Sequence, residues 1–166
     1  MLRQPADPIE RATWMSELVY GTLAALIAMA GIEVAGGASP TGAGAIILVG
    51  AAATWFAHAY SAVLGRRAAL GHTASTAQII QALRHAWPIV LAAIPSVLAF
   101  GGASLGWWSS GIAMGFSNGA GIAVLAGVGY LAGRAAGEDL AGLVSSTVLT
   151  ASIGIAIVVV ELLLHR

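Results

Sequence analysis

The chain has 166 residues, of which 58% are hydrophobic and 8% charged, against about 25% charged in an ordinary soluble domain, so a water-facing surface can hardly be built from it. Seven arginines, with no lysine, balance seven acids to a formal net charge of zero, which argues against a nucleic-acid footprint or a polybasic lipid-binding tail. There is no cysteine, which excludes disulfides, thiolate metal sites and thiol nucleophiles.

The composition is that of an integral membrane protein, read here as one transmembrane domain over residues 1–166. Its opening stretch, "MLRQPADPIERATW", carries Arg3, Asp7, Glu10 and Arg11. That is too polar for a signal peptide, and no A-x-A-like site closes a short apolar core. The first apolar run is therefore expected to be an uncleaved span. Spans of about 20 apolar residues are predicted near 14–35, 42–64, 87–105, 107–133 and 140–164, giving an all-α bundle of five transmembrane helices.

The linkers sort by charge. "GGASPTG" and "GGASLGWW" carry none, whereas Arg3, Arg11, Arg66, Arg67, Arg84 and Arg134 all fall on the alternate side. Under the positive-inside rule this places the N-terminus in the cytoplasm and the C-terminus outside, in a cell membrane; only Arg166 falls on the opposite side. Alanine and glycine richness with arginine in place of lysine is associated with GC-rich bacterial genomes, hence an expected bacterial inner membrane. Between the second and third spans, "ASTAQIIQALRHAW" spaces Ile79, Leu83 and Trp87 four residues apart and reads as a short amphipathic helix on the cytoplasmic face, before Pro88 opens the next span.

Pro95 interrupts the third span, where it removes a backbone donor and favours a kink. In the fourth, Gly111, Gly115 and Gly119 recur every four residues, followed by Gly129, Gly133 and Gly137. Such spacing suits close helix approach, within the chain or across a homodimer. No repeated motif is visible.

Ionisable groups inside spans are costly and call for a reason. The candidates are Glu17 and His58, then Asn118 with Ser117 beside it, and secondarily Glu33 and Glu161. Glu17 and His58 lie at similar depth on consecutive antiparallel spans, and an imidazole beside a carboxylate can hold and pass a proton or ligate a divalent metal. Ala51, Ala62 and Gly65 on the His58 side, and Gly21, Ala24 and Ala28 on the Glu17 side, suit buried faces. Alternatively, Glu17 reaches the headgroups and neutral His58 bonds a carbonyl or Tyr20. Glu33 and Glu161 sit near outer span ends, where snorkelling is easy, and Asn118 suits interhelical hydrogen bonding. No G-x-x-x-x-G-K-S/T loop, H-E-x-x-H pair or G-x-S-x-G elbow occurs, so neither an enzyme nor a bound cofactor is indicated.

"LVYGTLAALIAMAGIEVAG" (Leu18 to Gly37), "HAYSAVLGRRA" (His58 to Ala68) and "WPIVLAAIPSVLAFGGASL" (Trp87 to Leu105) together resemble the first three spans of the vacuolar iron transporter family. The resemblance implies five spans, a cytoplasmic N-terminus, a helical insert after span two and a dimer. The chain departs from that family where it has an aspartate followed by glycine, here about Ala24-Ala25, and where it has a second-span methionine, near which His58 falls. In place of its glutamate-rich metal-binding insert stand Arg66 to Trp87, without an acidic residue. In length and composition the chain also looks like other small membrane proteins of GC-rich bacteria. The expected function is a small dimeric transporter or channel for a proton or a divalent cation, with the lipid bilayer as its environment; the alternative is a non-transporting scaffold or accessory subunit.

Overall fold

The structure, a computed structural model, describes residues 7–71 and 73–164; Arg3 and Arg166, used in the charge reading, lie outside those residues. The helices are α1 (Pro8–Val34), α2 (Pro40–Leu70), α3 (Thr76–His85), α4 (Trp87–Ser104), α5 (Ser110–Ala135) and α6 (Leu140–Leu164). With α3 and α4 taken together, five segments are long and apolar enough to cross a membrane.

Helix ends follow local chemistry. A first-turn N–H without an intrahelical partner needs an acceptor, and Asp7 supplies one to Ile9 at 2.9 Å, Ser39 to Gly42 at 3.2 Å and Asp139 to Gly142 at 2.9 Å. Pro8 and Pro40 occupy first-turn positions, where no backbone donor is needed. Ser75 and Gln78 close a reciprocal capping box on α3.

The helices extend beyond several of the predicted spans. Capped by Asp7, α1 begins at Pro8, and α2 runs on through Arg66 and Arg67 until Gly71 adopts a left-handed conformation at φ +69°. A helix does not stop where apolarity stops; it stops where a residue can reverse the chain. The fourth long segment shows the converse. Trp107 and Trp108, expected at its start, lie in the connection, because Gly106 turns at φ +78° and Ser109 caps the helix that follows. The Trp108 indole N–H donates to the Ala99 carbonyl at 2.7 Å, and its ring occupies the space that a side chain on Gly102 would fill.

The amphipathic α3 forms as expected but ends at His85, so Trp87 belongs to α4. Ala82 and Ala86 bury against Ala59 and Ile89. The Trp55 N–H donates to the Leu83 carbonyl at 2.8 Å, tying α3 to α2.

Helix α1 packs against α2, α4, α5 and α6, while α4 lies between α1, α2 and α5. Leu26, Met29, Ile47, Phe100 and Leu125 fill the core. Close approach depends on missing side chains: a Cβ on Gly21 would lie 2.6 Å from the Ile89 Cα, and one on Gly129 would lie 2.6 Å from the Ser146 carbonyl oxygen. The fourth-span glycines therefore divide. Gly129 and Gly133 pack on the α6 side, and Gly137 makes the following turn at φ +74°, whereas Gly115 and Gly119 face open space. The Gly111–Gly115–Gly119 row is thus not a packing seam within one chain.

Candidate functional site

Glu17 lies on the buried face of α1, on the same side as Gly21, where that helix abuts α4. His58 lies on α2, one residue before the buried Ala59. Their side chains meet, with His58 Nε2 2.8 Å from Glu17 Oε1. The Tyr20 ring lies 5.5 Å from the imidazole, tilted by 48°. Glu17 Oε2 is buried and has no hydrogen-bond partner among the described residues.

The pair is asymmetric in its surroundings. Glu17 keeps 10% of its side-chain surface exposed and His58 38%. The expectation that Ala51, Ala62 and Gly65 make a buried face around His58 fails at two positions, since Ala62 and Gly65 are exposed. The inward residues of α2 are Ala43, Ile47, Ala51 and Ala59, a row with helical spacing. His58 sits about 100° around the helix from Ala59, on the rim of the bundle, and reaches inward to the carboxylate. One member of the pair is buried and the other accessible, an arrangement in which a proton can pass between the inner carboxylate and the surroundings.

Asn118 does not join this pair. Leu26 of α1 meets Gly121 of α5, so Asn118 and Glu17 stand roughly 18 Å apart along the bundle, at 1.5 Å rise for each of the twelve intervening helical positions. The packing instead brings Asn118 toward Glu161. Gly154 meets Leu125, and seven residues onward on each antiparallel helix lie Glu161 and Asn118. Leu26 also meets Gly154, so on the parallel α1 the same step of seven reaches Glu33. The polar candidates therefore form two levels, Glu17 with His58 at the arginine-bearing end and Asn118, Glu161 and Glu33 toward the other. The Asn118 side-chain oxygen is buried without a hydrogen-bond partner among the described residues. Glu161, expected to snorkel, is instead 4% exposed.

Between the levels lies a small cavity of about 10 Å³ at the meeting of α1, α4 and α5, lined in part by Thr22, Pro95, Ser96 and Ser117. It is close to the least volume that holds one water. Helix α4 continues through Pro95, which cannot donate to the Leu91 carbonyl. Thr22 and Ser117 each donate to a carbonyl of their own helix, Leu18 at 2.7 Å and Ala113 at 2.8 Å. Thr22 and Ser96 were not singled out from the sequence; the available signals were the adjacency of Thr22 to Gly21 and of Ser96 to Pro95.

Among the described residues no group of three or more His, Asp or Glu side chains converges. Glu17 and His58 offer a cation one carboxylate and one imidazole.

The chain matches no protein-family model, no curated protein and no solved structure. The resemblance to the vacuolar iron transporter family rests on the sequence segments alone. The five long apolar helices fit a multi-pass membrane protein.

Proposed function

We propose that this protein is a small multi-pass membrane transporter or channel, working as a homodimer in a bacterial cell membrane, in which Glu17 and His58 take up and release a proton. The observation that carries this reading is the buried Glu17 carboxylate, with one oxygen on the half-exposed His58 and the other unpartnered among the described residues. A buried carboxylate with an unused acceptor is an expensive group to place in a span solely to hold two helices together. His58 is the accessible member and exchanges the proton with the arginine-bearing side; Glu17 is the inner member. A proton is favoured over a divalent cation because the pair supplies two ligands, whereas Ca²⁺ takes about 6–8 oxygens and Mg²⁺ about six.

A scaffold or accessory subunit is the second reading, and one observation favours it. The buried Thr22 and Ser117 hydroxyls are satisfied within their own helices, and the cavity beside them holds about 10 Å³, which suits a dry, static core. Proton flux into liposomes under an imposed potential separates the two readings: the proton site requires flux that depends on Glu17, and the scaffold requires none.

A further inference from the structure

The arginine-bearing end carries a second feature, between α2 and α3. Where the last turns of α2 face α3, the surface opens into a groove of about 240 Å³. Phe56, Tyr60 and Val63 line it from α2, and Ile79 and Leu83 from α3, with Arg67 among its lining residues. Its apolar walls remain open although α3 packs on α2, because α3 buries Ala82 there and leaves Ile79 42% exposed.

We infer that this groove binds an anionic phospholipid, one acyl chain lying along Phe56, Tyr60 and Val63 and the phosphate on Arg67. The inference rests on the membrane reading but not on proton transport. Three observations select this occupant. The volume is below the roughly 300–1,000 Å³ of a site that encloses a small-molecule ligand, so the groove takes a stretch of chain whose remainder lies outside it. Arg67 is in the last turn of α2, and no carboxylate lies within ion-pair distance of it among the described residues. The whole stretch from Arg66 to Trp87 contains no acid and adds Arg66 and Arg84. An apolar trough with a guanidinium that has no ion-pair partner among the described residues complements a lipid with net negative charge, and a guanidinium binds phosphate through paired N–H donors. A zwitterionic lipid offers the same chain but brings its own cation beside the phosphate.

The test is native mass spectrometry of the full chain in neutral detergent, titrated separately with dioleoyl phosphatidylglycerol and dioleoyl phosphatidylcholine. The wild type is expected to favour phosphatidylglycerol by about five-fold, the scale of one arginine near a membrane surface. Arg67→Gln should bring that preference close to one. Arg134→Gln, at the same end but outside the groove, should leave it unchanged. Val63→Trp, which fills the trough, should weaken binding of both lipids; if that variant does not fold, Arg67→Gln alone decides. Equal binding of the two lipids by the wild type, an unchanged preference in Arg67→Gln, or an equal loss in Arg134→Gln would overturn the inference. A chain released from membranes by carbonate washing would instead overturn the membrane reading itself.

Discussion

Glu17 and His58 meet at 2.8 Å across the α1–α2 crossing, but only Glu17 is buried. Removing His58 therefore does more than delete one contact: it takes from the inner carboxylate the imidazole that meets it at 2.8 Å, at a cost of about 1–3 kcal/mol. Removing both polar groups leaves nothing unsatisfied. His58→Ala should accordingly lower stability by about that amount, while the double change Glu17→Leu with His58→Leu should recover most of it. Denaturant unfolding of the wild type, His58→Ala and the double variant in one detergent checks this, and a double variant as unstable as His58→Ala would show that the pair is not coupled.

Gly21 sets the distance between α1 and α4, because its missing side chain admits the backbone of Ile89, 2.6 Å from where a Cβ would be. Backbone cannot rotate away as a side chain can. Gly21→Ala should destabilise the fold by about 1–3 kcal/mol. Gly115, which faces open space, should accept alanine within about 1 kcal/mol and toward stabilisation, as expected for an exposed helical glycine. Thermal unfolding of the two variants side by side gives the comparison.

The outward row of Gly111, Gly115 and Gly119 offers a surface for close approach by a second copy. If the dimer forms there, Gly115→Leu should shift sedimentation in detergent toward monomer while Gly115→Ala does not. A wild type that sediments as a monomer at every concentration contradicts this.

The charge bias predicts that reporters fused at Ser39 and Ser104 report outside and those at Ala74 and Glu138 report inside. Alkaline phosphatase activity at Ala74 or Glu138 contradicts the orientation.

Much of the bundle was legible because run length and helix caps are local properties. The starts capped by Asp7 and Ser39 lie outside the apolar runs, so run length alone placed the first two helices late. The approach of Glu17 to His58 was legible from depth alone, since antiparallel neighbours bring equal depths together. Rotation was harder to read. Apolar residues occupy every side of α2, with Ile46, Leu48 and Phe56 exposed where Ile47 is buried, so nothing in its sequence distinguishes the inward row at Ala43, Ile47, Ala51 and Ala59 from the face of Ala62 and Gly65, and His58 proved to be on the rim. The same uniformity hid the burial of Glu161 in α6. Trp107 and Trp108 read as span because they are apolar, whereas their place is decided by the turn at Gly106 and by a bond from Trp108 to Ala99 nine residues back.

The measurement that bears most directly on the proton site is the internal pH of liposomes containing the purified protein and a pH-sensitive dye, under a potassium diffusion potential negative inside. Wild-type liposomes should acidify faster than empty ones, Glu17→Gln should return the rate to that of empty liposomes while the protein stays folded and inserted, and His58→Ala should slow it. Acidification by Glu17→Gln at the wild-type rate, or a wild type indistinguishable from empty liposomes, would contradict the assignment of Glu17 and His58 as a proton site.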